Sequence, residues 1–270
     1  MADKFAVMGN PIAHSLSPLI HQRFAKQTDR SLIYEKLCID ETAFESAVAN
    51  FFTGGGKGLN ITLPFKQKAF SMAKIRSTRC IQAKAANTLW MKDQRLCADN
   101  TDGIGLLRDL ANLMDLRGKK VLILGAGGAA RGIIGPLLNS EISSLILTNR
   151  TFTKAQALQD EFKNLHCCEF QQLNESFDLI INATSTGIAG QSLNLPLSLL
   201  KANSYCYDLS YQAQGLTPFV QWAKNHGCQA SDGLGMLVEQ AAEAFFIWHG
   251  VMPDAQAVLS ELRQSADLNN

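Results

Sequence analysis

Val121-Leu122-Ile123-Leu124-Gly125-Ala126-Gly127-Gly128-Ala129-Ala130-Arg131 decides the fold. The apolar run over Lys119–Leu124 predicts a strand buried on both faces, as in a parallel sheet. Gly125 permits a tight turn, and Gly127 lets the backbone approach a pyrophosphate. Ala130 takes the third small position, where the following helix packs on the strand. That helix, predicted to run to Leu138, opens with free N–H groups and a dipole that favour an anion. A glycine pattern alone is weak, and the plainer reading is a tight turn without a ligand. Here the strand before it and the helix after it supply the context that the dinucleotide motif demands. Gly125, Ala126, Gly127, Gly128, Ala129 and Ala130 are therefore the candidate phosphate cradle.

The next predicted strand, Leu145–Thr148, ends in Asn149-Arg150-Thr151, with Lys154 one turn later. An enzyme that prefers NAD usually carries an acid here to hold the ribose 2′-hydroxyl. This chain has none. Arg150 offers a planar fork for a phosphate, and Asn149 and Thr151 add neutral hydrogen bonds. Cations at a helix start are unfavourable unless an anion meets them. Arg150 and Lys154 thus read as a clamp for the 2′-phosphate of NADP.

Working outward, Asp178–Asn182 and Ser204–Leu209 are further buried strands with helical stretches between. Strands alternating with helices argue for a parallel sheet covered on both sides. The first ~100 residues form a separate α/β pattern. It comprises strands at Phe5–Gly9, Leu32–Ile39 and Gly58–Leu63, and helices at Ser17–Gln27, Thr42–Phe52 and from about Phe65. Ser17-Pro18 reads as an N-cap followed by proline at the first helical position. Thr88–Met91 and Arg95–Ala98 flank a hairpin turn, and a helix is predicted from Asp102 to Leu116. Two helices, Gly235–Trp248 and Asp254–Gln264, close the chain. The expected architecture is α/β with two domains. Residues 1–101, completed by returning helices over 237–270, form a substrate domain. Residues 102–236 form a Rossmann-type NADP domain.

Composition excludes several functions. A net charge of +1 without a basic run argues against nucleic acid. No segment approaches the ~20 apolar residues that span a bilayer. Met1-Ala2-Asp3-Lys4-Phe5 has no apolar leader, so a soluble cytoplasmic protein is expected. Seven cysteines without a CxxC pair or metal-ligand spacing read as free thiols, with no metal.

Polar residues gather where strands of the first domain end. Ser15 and Ser17 present two hydroxyls, suited to a carboxylate. Asn60 and Thr62 share one face of a predicted strand, and Asn87 precedes another. All three suit a hydroxyl-rich ligand. Lys66 and Asp102 are the one obvious acid/base pair, and a ketone reduced by hydride needs a proton at its oxygen. Plainer readings exist: Ser17 and Asp102 as helix caps, and Lys66 as a solvated helix residue. His14 and His249 have no visible partner and read as surface or cleft-edge residues.

In order along the chain, Gly9–Pro18, Asn60–Lys66, Asn87-Thr88-Leu89, Asp99–Gly105, Gly125–Ala130, Asn149–Thr151, Ile181–Gly187, Tyr207–Phe219 and Asp232–Ala242 resemble the shikimate dehydrogenase family. The resemblance implies reversible reduction of 3-dehydroshikimate to shikimate by NADPH, in aromatic amino-acid (chorismate) biosynthesis. It implies that Ser15 and Ser17 bind the carboxylate. Thr62, Asn87, Asp102 and Gln240 would bind hydroxyls, and Lys66 would be the catalytic lysine paired with Asp102. Tyr211 would reach the substrate from the second domain, and Thr184, Leu209 and Gly233 would lie on the cofactor side. Departures are modest. Lys84 stands where the family usually has a small residue, Thr78 replaces a commonly acidic position, and Leu209 replaces a frequent methionine. Gln212-Ala213-Gln214-Gly215 lacks a proline often seen there.

Two other functions compete. A quinate/shikimate dehydrogenase with broader substrate and cofactor use tends to carry an acid after the second Rossmann strand, which Asn149-Arg150-Thr151 lacks. A non-catalytic NADPH sensor on the same fold would have no use for an intact Lys66/Asp102 pair. A small-molecule enzyme, as monomer or homodimer, is expected.

Overall fold

The computed structural model describes residues 2–184, 195–212 and 215–267. The part of the Ile181–Gly187 segment beyond Thr184, the pair Ala213-Gln214, and the chain end from 268 lie outside the described residues. The chain forms two compact units, one of Met1–Leu106 with Leu237–Gln264, the other of Leu107–Met236 with Ser265–Asn270. The first division therefore falls inside a helix rather than at 101/102.

The first unit contains β1 (Asp3–Gly9), α1 (Ser17–Gln27), β2 (Leu32–Cys38), α2 (Phe44–Thr53), β3 (Gly58–Ile61) and α3 (Lys66–Met72). It continues through β4 (Ile75–Arg76), α4 (Thr78–Ala83), β5 (Thr88–Lys92), β6 (Arg95–Asp99) and the start of α5 (Asp102–Ala111). Its sheet has the order β2-β1-β3-β5-β6-β4. β1 runs parallel to β2 and β3, whereas β5 is antiparallel to β3 and β6. The β5–β6 pairing follows from the hairpin: Asp93 and Gln94 take φ of 51° and 58°, the twist that closes a two-residue turn.

β1 shows how this sheet buries both faces. Ala6 and Met8 join a core with Leu59, Ile61, Leu89, Phe44 and Phe65, while Phe5 and Val7 join Ile12 and Tyr34. Side chains of a strand alternate between faces, so one apolar run serves two cores. The Phe44 and Phe65 rings stack at 4.5 Å.

The second unit contains β7 (Lys120–Leu124), α6 (Gly128–Leu138), β8 (Ser144–Thr148), α7 (Phe152–Glu161), β9 (Leu165–Cys167), β10 (Phe177–Asn182), β11 (Leu200–Asp208), α8 (Pro218–Asn225) and β12 (Gln229–Ser231). Every pairing is parallel, in the order β12-β11-β10-β7-β8-β9. This is the doubly wound arrangement, whose strand order reverses between β7 and β10. Val121, Leu122 and Ile123 are fully buried, as their unbroken apolar run requires.

The closing helices are α9 (Leu234–His249) and α10 (Ala255–Asp267). From Leu237 they belong to the first unit, where the Trp248 indole N–H donates to the Leu89 carbonyl at 3.3 Å and its ring stacks on Phe5 at 4.9 Å. The expected return of the C-terminal helices is observed. No helix among the described residues is long and apolar enough to cross a membrane.

Several local expectations are corrected. Ser17 is the first residue of α1 rather than its cap; Leu16 holds the cap position, and the Ser15 hydroxyl accepts the Ser17 N–H at 3.3 Å. α5 ends at Ala111, not Leu116, because Leu113 and Met114 both turn back onto the Leu110 carbonyl. β3 stops at Ile61, so Thr62 stands in the turn beyond it rather than on the strand face of Asn60. His249 is half-buried, packed against Phe245 at 4.2 Å and Phe5 at 4.9 Å.

Candidate active site

In the first unit the loops after β1, β3 and β6 and the one before β5 are sewn together by backbone bonds. Asn10 N–H donates to the Leu63 carbonyl at 2.9 Å, Ala86 N–H to Lys66 at 2.8 Å and Asn87 N–H to Asp99 at 3.0 Å. These loops carry most of the polar residues singled out above.

Lys66 opens α3 and Asp102 opens α5, and their side chains meet with Nζ 2.6 Å from Oδ2. The pair is mostly buried, with 15% of the lysine and 7% of the aspartate side chain exposed. The other Asp102 oxygen, Oδ1, accepts from Asn87 Nδ2 at 2.8 Å. Asn87 Nδ2 also lies 3.1 Å from Gln240 Oε1, on the returning helix α9. Asn87 Oδ1 accepts the Thr101 N–H at 2.8 Å, which fixes which way its amide faces. Both carboxylate oxygens are thus engaged by donors, while the ammonium retains N–H directions beyond Asp102.

Ser15 donates to the Ser17 hydroxyl at 3.2 Å, so the two serines form one unit, half-buried at Ser15 and buried at Ser17. Burial pushes the Tyr34 phenol well above its ordinary range, and nearby Ser17 opposes the shift. Asn60 is buried with its amide fully used: Oδ1 accepts from Tyr34 at 2.6 Å, and Nδ2 donates to the Asn87 carbonyl at 3.1 Å and to Thr88 Oγ1 at 3.3 Å. Half-buried Thr62, by contrast, keeps a hydroxyl without a partner among the described residues.

A partly buried ion cluster holds these parts in register. Arg79 on α4 grips both oxygens of Asp99 at 2.8 Å and reaches Glu243 on α9 at 2.7 Å. Ser77 donates to the same Asp99 carboxylate. Glu243 follows Gln240 by three residues on α9, so the arginine ties that face of the helix to the loop leading to Asp102.

In the second unit the glycine turn follows β7 at the point where the strand order reverses. Gly125 has φ of 108°, and a Cβ there would press on the Ala183 carbonyl at 3.0 Å. A Cβ on Gly127 or Gly128 would meet nothing within 4 Å among the described residues. Gly127 is the cap residue of α6 and supplies no side-chain acceptor, which leaves the first N–H groups of the helix without a cap. Open space over uncapped N–H groups is what a pyrophosphate needs.

Beyond β8, Asn149 braces this turn. Its Oδ1 accepts the Ala126 N–H at 3.2 Å, and its Nδ2 donates to the Thr151 carbonyl at 2.8 Å. Thr151 caps α7 in position only, with no side-chain bond. Arg150 and Lys154 are exposed, and neither has a carboxylate partner among the described residues. The nearby Arg131 is instead paired with Glu161 through two bonds of 2.7 and 2.8 Å. At the end of β8 the buried Thr148 hydroxyl has no partner among the described residues. Two unpaired cations beside the open turn fit a dinucleotide that carries a 2′-phosphate.

The ends of β10 and β11 are locked by buried polar groups. Asn182 Nδ2 donates to Asp208 Oδ1 at 3.1 Å, Ser210 N–H to the same oxygen at 3.0 Å and Thr217 to Oδ2 at 2.7 Å. Burial pushes the Asp208 carboxyl up, and these donors oppose the shift. Thr184 donates to Asn182 Oδ1 at 2.6 Å, and Leu209 N–H donates to the Asn182 carbonyl at 2.9 Å. Gly233 N–H donates to the Ser210 carbonyl at 2.9 Å, and any side chain on Gly233 would collide with the Leu209 carbonyl. Tyr211 is half-buried in the loop after β11.

Sequence reasoning missed Tyr34, Thr88, Thr101 and the Arg79–Asp99–Glu243 cluster. It also missed His21, which is fully buried, stacked on Tyr34 at 4.3 Å, and without a hydrogen-bond partner on either ring nitrogen among the described residues. Burial lowers its pKa to about 3, with His249 adding to the effect and Asn60 opposing it.

Comparisons with known proteins bear on both halves. Residues 7–89 match a family described as the shikimate dehydrogenase substrate binding domain. Residues 108–189 match shikimate / quinate 5-dehydrogenase, and 233–263 the shikimate 5′-dehydrogenase C-terminal domain. A shikimate dehydrogenase (NADP(+)) of Legionella pneumophila strain Philadelphia 1 is 57% identical over 97% of this chain and 99% of its own length. Among solved structures, an Ael1 enzyme from Pseudomonas putida is 46% identical with a TM-score of 0.89, covering 97% of this chain and 98% of that one. A shikimate 5-dehydrogenase from Thermus thermophilus, solved with NADP(H) and shikimate, is 31% identical with a TM-score of 0.88, covering 97% and 99%.

Proposed function

The chain belongs to the shikimate dehydrogenase family, and we infer from this that it reversibly reduces 3-dehydroshikimate to shikimate with NADPH. It is an oxidoreductase of aromatic amino-acid biosynthesis, acting on a CH–OH group. The observation that carries the mechanism is the 2.6 Å contact between Lys66 Nζ and Asp102 Oδ2.

NADP(H) would supply the hydride chemistry at C3 of the substrate. The uncapped turn Gly125–Ala130 would hold its pyrophosphate. Arg150 and Lys154 would hold the 2′-phosphate, with Asn149 and Thr151 shaping the loop between. Thr184, Leu209 and Gly233 would line the nicotinamide.

Lys66 acts at the C3 oxygen. Lys66 Nζ would give a proton to that oxygen when the carbonyl is reduced and take it back in the reverse direction. After reduction the lysine is reprotonated from solvent. Asp102 accepts from Lys66 on one oxygen and from Asn87 on the other, so it orients the donor and balances its charge. Ser15 and Ser17 receive the substrate carboxylate. Thr62, Asn87, Asp102, Gln240 and Tyr211 receive the ring hydroxyls, and Asn60 supports Asn87 from behind. Binding these remote groups supplies the orientation that the reacting carbonyl needs.

The enzyme acts on a small molecule, as monomer or homodimer. We place it in the cytoplasm, which seven cysteines without a CxxC pair support. Steady-state assays test the activity: NADPH is consumed with 3-dehydroshikimate, while quinate and NAD are poor substitutes. No NADPH oxidation with 3-dehydroshikimate, or a preference for NAD, would overturn the reading.

A further inference from the structure

We propose that Tyr34 and Thr88 are positioning residues for the reduction, acting through a one-way chain of hydrogen bonds that ends on Asp102. The proposal rests on the reading of Lys66 and Asp102 as the acid/base pair. Tyr34 donates to Asn60 Oδ1 at 2.6 Å, and Asn60 Nδ2 donates to Thr88 Oγ1 at 3.3 Å. Thr88 Oγ1 donates to Asn87 Oδ1 at 2.9 Å, and Asn87 Nδ2 donates to Asp102 Oδ1 at 2.8 Å. All five residues are buried, with Thr88 fully so.

The direction of the chain is set by groups that can act in only one sense. The Thr101 N–H can only donate, so the amide oxygen of Asn87 must face it and the amide nitrogen must face Asp102. With that oxygen turned inward, the Thr88 hydroxyl donates to it and offers its lone pairs to Asn60. The Asn87 carbonyl can only accept, so Asn60 turns its nitrogen that way and its oxygen toward Tyr34. The phenol must then donate. No amide in the chain can flip without leaving a buried group unpaired. Asp102 is therefore aimed by residues that it does not touch, and Lys66 is aimed by Asp102.

The chain links residues of β2, β3, β5 and α5 within the first unit. Aligned bonds polarise one another, which makes such a network more than a set of separate contacts.

Thr88→Val tests this, because it keeps the shape and removes the hydroxyl. We expect kcat to fall roughly ten- to a hundredfold, the range for a small misplacement of catalytic groups. The KM for 3-dehydroshikimate and the Kd for NADPH should stay within about threefold, since neither ligand is touched. Thr88→Ser should restore kcat to within about threefold, as it returns the hydroxyl. Tyr34→Phe removes one oxygen at the far end and should lower kcat in the same direction, so it stands in if the valine variant fails to fold. Wild-type kcat in folded Thr88→Val or Tyr34→Phe would overturn the proposal, as would a Thr88→Ser enzyme no better than Thr88→Val. Lys66→Ala run alongside separates the two readings. If it stays active the acid/base assignment fails; if it is inactive while Thr88→Val is normal, only the chain fails.

Discussion

Asn149 Oδ1 accepts the backbone N–H of Ala126 at 3.2 Å, tying the loop that carries Arg150 to the glycine turn. The residue that stands where an NAD enzyme has its acid is thus also a brace for the phosphate cradle. Asn149→Asp keeps an acceptor for Ala126 and adds a negative charge beside the proposed 2′-phosphate site. We expect KM for NADPH to rise at least about tenfold, with NADH gaining relative to it. Arg150→Ala should weaken NADPH in the same way while leaving NADH untouched. Unchanged discrimination between NADPH and NADH in both variants would contradict the clamp.

His21 gives the protein an acid-sensitive term. Its pKa is 6.5 when unfolded and about 3 when buried, so between those values the unfolded chain binds a proton that the folded one refuses. Stability therefore falls as pH drops through this window, by at most about 1.4 kcal/mol per pH unit from this residue. Urea denaturation near pH 6.5 and near pH 4.5 should show a smaller loss in His21→Leu than in the wild type, by about 2 kcal/mol. Equal losses in the two proteins would show that His21 is not held neutral.

Lys84 ends α4 in the left-handed region, with φ of 45° and ψ of 35°. A side chain pays for that conformation, and glycine does not. Lys84→Gly should raise stability by about 0.5–1 kcal/mol in urea denaturation. A loss of similar size would mean that contacts of the lysine outweigh the strain.

Legibility in the sequence followed how local each signal was. The β7–turn–α6 unit could be read because four apolar residues, the glycines and the helix start lie within one short stretch. The Lys66–Asp102 pair spans 36 residues and was legible through residue type and family order, not spacing. β4 and α4, of two and six residues, are too short to show a period, so Arg79 went unnoticed. Leu113, Met114 and Leu116 extended the apolar pattern of α5 past its true end, where the backbone turns at Leu110. Neither Tyr34 on β2 nor His21 on α1 carries a sequence signal that sets it apart. Their partners come from other elements, so only the folded chain reveals the network.

If Lys66 delivers the proton, its removal must cost turnover without costing cofactor binding. Lys66→Ala should be assayed for kcat with saturating NADPH and 3-dehydroshikimate, with NADPH affinity measured by fluorescence on the same sample. We expect a fall in kcat of about 10²–10⁴-fold with NADPH affinity unchanged. Turnover within about threefold of the wild type would contradict it.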